Sequence, residues 1–337
     1  MRVVTPRLLA VAVLLAASST YAPARVLCTL DDPRITESSG IASSLASDDV
    51  LYTHNDSGDS ARYFVLDRTC RITAMHTLPG VTANDWEDMA RGPAADGTSA
   101  LWFADIGDNA STRARVLLYR VPEPDAATPE AQQSEAFPFA YDDGAHDAEA
   151  LLVDPRTGTP VVVTKTYIGV SGVYVPTAPL TPGVAGTLHK VAEIAITPSA
   201  SPQQSDGVAG PASQLAVTGA DWAPDRGRFV VRTYTDAYEW RVPAGSTDTT
   251  SALTAALGGQ RTSFPLPVVA QGEAIGYTRD SRSLVVTTEG TDTPVHLIEG
   301  TPDAEPVVPE VPWRLLLPLA GGLVLAGGYA LRRRRTT

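Results

Sequence analysis

Three glutamates occupy the same place in a recurring motif: Glu87-Asp88-Met89, Glu149-Ala150-Leu151 and Glu273-Ala274-Ile275. Ser39-Gly40-Ile41 and Thr218-Gly219-Ala220 fill that place in two further copies. Alternation along a strand sends every second side chain to one side, so equivalent strands set around an axis would aim these glutamates at a shared centre. Carboxylates gathered there cannot all stay ionised without cations or basic partners. Lys165 and Arg232, near the ends of following strands, are the candidate partners. Glu87, Glu149 and Asp105 are the candidate acid–base groups.

Two further motifs add hard oxygen donors, His54-Asn55-Asp56-Ser57-Gly58-Asp59 and Asp105-Ile106-Gly107-Asp108-Asn109. Calcium takes such oxygens from carboxylates, amides and carbonyls. Asp56, Asp105, Asp108, Asn109 and Glu149 are therefore candidate calcium ligands. His54, Asn55 and Glu273 join Lys165 and Arg232 as candidate ligand-binding residues. Each has a competing structural reading. Asn/Asp-Gly clusters are also what turns require, and a repeated glutamate can simply bond backbone amides between repeats. The spacing of a full calcium-loop motif is absent.

Other chemistries find little support. The chain has no Gly-x-Ser-x-Gly elbow, and Gly58-Asp59-Ser60 sits in a turn of a repeat. His54, His76, His146, His189 and His296 lack zinc spacing. Trp86, Trp102, Trp222 and Trp240 fall in or beside strands, where packing explains them better than a sugar platform.

The elements that would position these residues are short strands. Runs such as Val161-Val162-Val163-Thr164, Arg228-Phe229-Val230-Val231 and Ser283-Leu284-Val285-Val286-Thr287 are separated by Gly, Pro, Asp and Asn, and no long helical period occurs. One segment near Ser251–Leu257 is a candidate helical turn. After each motif copy come a second and a third strand, and a fourth after most. A repeat of roughly 50 residues made of four strands is the mark of a propeller blade. The expected fold is all-β: a β-propeller, most simply of five four-stranded blades. The last copy lacks its fourth strand, which Arg25–Leu30 would supply to close the ring. Six or seven blades and a sandwich are the competing arrangements.

His54 to Asp59, Asp85-Trp86-Glu87-Asp88-Met89-Ala90, Ala104 to Asn109 and Asp147-Ala148-Glu149-Ala150-Leu151 resemble motifs of exported bacterial propellers related to the "esterase-like activity of phytase" group. The likeness spans roughly residues 35–300. It implies a calcium-tolerant propeller and phosphate-ester handling, although no phytase catalytic set matches residue by residue.

The ends point to export and a membrane anchor. Residues 1–24 read as a signal peptide: Arg2 and Arg7, an apolar stretch from Leu8 to Ala17, and a small-x-small site at Ala22-Pro23-Ala24. Residues 25–300 form the ectodomain, and the Pro-rich segment 301–312 is a stalk. Residues 313–331 read as a transmembrane helix. Residues 332–337, with four arginines, form a cytoplasmic tail by the positive-inside rule. The two cysteines, Cys28 and Cys70, read as one disulfide in an exported chain. The whole chain carries −12. Without Arg2, Arg7, Arg314 and Arg332 to Arg335, the 26 basic residues become 19 against 38 acidic, a net of −19. That charge strongly disfavours nucleic acid as a partner and is compatible with divalent cations.

The leading functional expectation is a cell-surface, membrane-anchored propeller that binds a small-molecule or protein ligand in an acidic central funnel with calcium. The alternatives are a calcium-dependent hydrolase of phosphate or other esters, and a structural envelope protein.

Overall fold

The structure is a computed structural model that describes residues 21–199 and 210–300. Most of the expected leader, together with the expected stalk, membrane helix and basic tail, lies outside the described residues. Among the described residues no helix is long and apolar enough to cross a membrane.

Among the described residues the chain is all-β apart from one short α-helix and a 3-10 turn at Gly210–Gln214. It opens with β1 (Arg25–Leu30) and then builds four antiparallel meanders of four strands. The first repeat holds β2 (Ser38–Ser43), β3 (Leu51–Asn55), β4 (Arg62–Leu66) and β5 (Ile72–Thr77). The second holds β6 (Trp86–Pro93), β7 (Ser99–Asp105), β8 (Val116–Pro122) and β9 (Glu135–Tyr141). The third holds β10 (Ala148–Val153), β11 (Pro160–Thr164), β12 (Val170–Pro176) and β13 (Gly186–Ala195). The fourth holds β14 (Val217–Trp222), β15 (Arg228–Thr233), β16 (Asp236–Arg241) and β17 (Arg261–Pro265). The fifth supplies β18 (Gly272–Tyr277), β19 (Leu284–Thr288) and β20 (Thr293–Ile298), and takes β1 as its fourth strand.

The first strands of the repeats pack in cyclic order, β2 on β6, β6 on β10, β10 on β14, β14 on β18, and β18 back on β2. Each neighbouring pair of repeats encloses its own apolar layer. Tyr52, Tyr63, Trp86 and Phe103 fill the first, and Trp102, Phe137, Leu151 and Val162 the second. Val163, Trp222, Phe229 and Trp240 fill the third. Phe264 and Tyr277 lie in the fourth, and Leu30, Phe64 and Val295 in the fifth. A four-stranded sheet of this size cannot bury both faces alone, so stacking of sheets around an axis is what stabilises it. These sheets and layers suggest a β-propeller. The tryptophans are buried packing residues: Trp86 and Phe103 stack at 5.0 Å, and Phe229 and Trp240 at 5.4 Å.

Two features lay outside the repeat pattern. The second and third repeats join through a parallel pairing of β9 with β13 at Phe139–Tyr141 and Gly186–Leu188. The segment near Ser251–Leu257 is the helix α1 (Thr249–Leu257), N-capped by Asp248, whose side chain accepts from the Ser251 amide. Its buried residues Ala252, Leu253 and Ala256 cover the third apolar layer. Cys28 and Cys70 form a disulfide. It ties β1 to the turn between β4 and β5, and so joins the fifth repeat to the first.

Candidate functional site

Every inner strand carries a register slip at the same point. The pairing shifts between Ser38 and Gly40, Trp86 and Asp88, Ala148 and Ala150, and Val217 and Gly219. In the fifth repeat it shifts between Gly272 and Ile275. The skipped residues are Ser39, Glu87, Glu149 and Thr218, and Glu273 lies within the last interval. A bulge of this kind turns a side chain out of the sheet's alternation. Ser39 and Thr218 use it to hold the next repeat: the Ser39 hydroxyl donates to the Glu87 carbonyl, and that of Thr218 to the Gly272 carbonyl at 2.9 Å. In the other three repeats the position holds a buried carboxyl group.

The residue following each second strand forms a neighbouring tier: Asp56, Ile106, Lys165, Tyr234 and Glu289. Backbone bonds tie three of them to the residues that lead into the inner strands. Asp56 N donates to Glu37 O at 2.9 Å, Lys165 N to Asp147 O at 3.0 Å, and Glu289 N to Gln271 O at 3.0 Å. In the second repeat Gly107 N donates to Asp85 O at 3.2 Å. One end of the axis therefore gathers Glu37, Asp56, Asp85, Glu87, Asp147, Glu149, Glu273 and Glu289.

Asp56, Asp85 and Glu87 come closest together, each offering an oxygen within 4.8 Å of the others'. Burial pushes Asp56 up to about 7, with Asp85, Glu273 and Glu37 adding to it. Glu87 is raised well above the usual carboxylate range by burial first, then by Glu149, Asp56, Asp85 and Glu273. Asp56 Oδ1 is buried without a hydrogen-bond partner. Glu289 is pushed up to about 8 by burial and then by Glu273 and Asp56. Gly107 makes the cluster possible. A β-carbon there would collide with Glu87 Oε1 and Asp85 Oδ2.

The other side of the opening is internally compensated. Lys165 donates to Glu149, with which it forms an ion pair, and to the Tyr234 hydroxyl at 3.0 Å. Burial works against the Lys165 ammonium, but Glu149, Tyr234 and Glu273 outweigh it and hold it charged. Arg232 is fully buried, donates to the carbonyls of Thr233, Ala274 and Thr287, and faces the charge of Glu273. Burial lowers it to about 10.

Beyond the bulges, polar bonds link the inner strands. Asp88, fully buried, accepts from its neighbour Met89 N at 2.8 Å, from Leu151 N at 2.9 Å and from Ala220 N at 3.1 Å. Asp221 accepts from Tyr277 N at 2.7 Å and lies 3.2 Å from Arg91 Nη2. Inner strands present an unpaired edge toward the axis. These two carboxylates satisfy amides from the second to the fifth repeats.

The candidate residues divide accordingly. Asp56, Glu87, Glu149, Glu273 and Lys165 line the acidic end, and Arg232 lies beneath it. Asp105 is buried and fully engaged. It accepts from Asn84 N and Nδ2, Asp85 N and Arg113 Nη2, and so fixes the loop that carries Asp85. Asp108 accepts from Arg113 N, and Asn109 is exposed. Asn55 spends its amide on Thr36, Glu37, Arg34 and Asp59. His54 is fully buried, edge-on to Trp86, with Nδ1 donating to the Asn55 carbonyl, and burial lowers it to about 4. Asp85, Glu289, Glu37 and Tyr234 belong to the site and were not candidates. A comparison of the residue after each second strand would have found Glu289 and Tyr234.

The geometry thus defines a ring of sheets with a one-ended acidic mouth. No family model matches the chain. No curated protein matches it either. Solved structures that match include a gluconolactonase from Xanthomonas campestris, 16% identical, with a TM-score of 0.42 over 84% of this chain and 91% of that one. None of these findings supports the phytase-like group.

Proposed function

We propose that the chain is a five-bladed β-propeller whose acidic mouth binds a divalent cation, calcium by its donor set, and through it an oxygen-rich ligand. The observation that carries this reading is the approach of Asp56, Asp85 and Glu87 to within 4.8 Å of one another, Glu87 buried and the other two half-buried, with Arg113 as the cation that acts on Asp85. Calcium–oxygen distances of about 2.3–2.6 Å let one ion reach all three, and a coordination number of roughly six to eight leaves places for water and ligand oxygens. Asp105 and Arg113 act behind them by holding the Asp85 loop. Tyr167 and Ile168, exposed beside Lys165, would meet a less polar part of the ligand.

A second reading, ester hydrolysis, is favoured by Asp56 and Glu289, whose carboxyl groups are pushed up to about 7 and about 8. Groups in that range can give and take protons at neutral pH. A bound ion would supply Lewis-acid polarisation beside them. The sequence further supports export, with a C-terminal helix at 313–331 tethering the propeller to the cell membrane.

The test is metal content and calcium titration of the full chain in detergent, beside the Asp56→Asn/Glu87→Gln double variant. Bound calcium and a chelator-sensitive melt, both lost in the variant, are expected. A wild-type chain that holds no divalent ion and melts identically with chelator would refute the cation reading. Turnover of an ester panel that the variant loses would select hydrolysis over binding alone.

A further inference from the structure

The segment before β1 is part of the folded domain. Tyr21 is 4% exposed, and its ring meets Phe264 with centroids 4.5 Å apart in the layer between the fourth and fifth repeats. Its hydroxyl donates to Glu239 Oε1. That buried oxygen also accepts from Tyr277 at 2.6 Å and lies 3.6 Å from Arg228 Nη1. The backbone is engaged as well: Tyr21 bridges Gly300, and Ala22 N donates to Glu299 O at 2.8 Å. Tyr21 therefore bolts the N-terminal segment to the strand that ends the fifth repeat and to the core of the fourth.

Cleavage after Ala24 would remove this bolt before the domain folds. Glu239 would lose one of its donors, Phe264 its ring partner, and Glu299 the amide of Ala22. A leader-processing enzyme reads small residues at the third and first positions before its cut, shortly after the apolar stretch. The sequence offers that pattern upstream of Tyr21, at Ala16-Ala17-Ser18 and at Ala17-Ser18-Ser19, a few residues beyond the run Leu8–Leu15.

We propose that the leader is cut after Ser18 or Ser19, so that the mature chain begins at Ser19 or Thr20 and keeps Tyr21 in its closing layer. The proposal rests on the leader reading of the sequence and is independent of the cation site.

N-terminal sequencing and intact mass of the full-length product from an exporting host decide it. A first residue of Ser19 or Thr20 is expected. A chain beginning at Arg25 overturns the proposal while leaving export intact, and a chain still beginning at Met1 overturns the leader reading with it. Thermal melts give a second reading. Tyr21→Ala removes a buried aromatic ring and should melt roughly 5–10 °C lower. Tyr21→Phe keeps the ring and should fall by less. An unchanged melt for Tyr21→Ala would remove the reason for retaining Tyr21. Should Tyr21→Ala fail to accumulate, Tyr21→Phe and the wild-type N-terminus still decide.

Discussion

Asp56 sits where burial and three neighbouring carboxyl groups all resist its ionisation, and this has a consequence for stability. An unfolded aspartyl group titrates at 3.8 and the folded Asp56 at about 7. Between those values the unfolded chain has released a proton that the folded chain keeps, so stability falls as pH rises and levels off above the folded value. Glu289 behaves likewise between 4.5 and about 8. His54 opposes this trend only below 6.5, since burial holds it neutral down to about 4. In chelator, the melting temperature should therefore drop between pH 6.5 and pH 8.5. Calcium should shrink that drop and bind more tightly at the higher pH, because it favours the ionised forms. The Asp56→Asn/Glu87→Gln variant should flatten the chelator slope. A flat or rising wild-type profile would show that the carboxyl groups are not crowded as described. At this scale the glutamates of the motif were legible because they recur at one place in a strand repeat. Asp85 was not, since it lies in a loop whose position depends on Asp105 and Arg113. His54 misled because it is fully buried against Trp86, with Nδ1 spent on the Asn55 carbonyl.

The bulge is the element that converts a strand repeat into a site. It lies at the head of every inner strand, beside residues that fill the axis. Alternation alone predicted that Glu87 and Met89 share a side, but the register slip between Trp86 and Asp88 falls on Glu87 and separates their surroundings. Glu87 joins the acidic mouth while Met89 enters an apolar layer. Asp88 shows the same device inverted. Set just beyond the slip, it turns into the axis and takes amides from Met89, Leu151 and Ala220. Sequence reading passed over Asp88 as part of a motif, because its partners come from three repeats and no local spacing reveals them. Asp88→Ala would leave three buried amides without an acceptor, at about 1–3 kcal/mol each before relaxation. A loss of at least about 3 kcal/mol in denaturant unfolding is expected, with Asp88→Asn intermediate because one amide oxygen replaces two carboxylate oxygens. A cost below about 1 kcal/mol for Asp88→Ala would mean the inner edges satisfy one another without it.

At the scale of the whole molecule, the arrangement depends on its two ends meeting. The fifth repeat provides three strands from residues 272–298 and borrows β1 from the other end of the domain, so the last sheet is completed only when Arg25 to Leu30 pairs with β20. The missing fourth strand was visible in the sequence as a gap in an otherwise regular pattern, and the unpaired run at the N-terminus was the evident candidate to fill it. The parallel contact between β9 and β13 was not visible, because it joins outer edges of two sheets and leaves no mark on the repeat itself. The disulfide sits on the borrowed strand. Closing a loop of separation 42 between Cys28 and Cys70 limits the unfolded chain and is worth about 4 kcal/mol on loop entropy. Cys28 lies at a slip in the β1–β20 pairing, between Val26 and Cys28, where the ladder alone holds the strand less firmly. Reduction, or the Cys28→Ser/Cys70→Ser variant, should therefore lower the unfolding free energy by several kcal/mol. It should also release β1 first, seen as early hydrogen exchange at Leu30 and across β20 while the inner strand β10 stays protected. Uniform exchange over all repeats after reduction would show that the closing strand is no weaker than the rest of the ring.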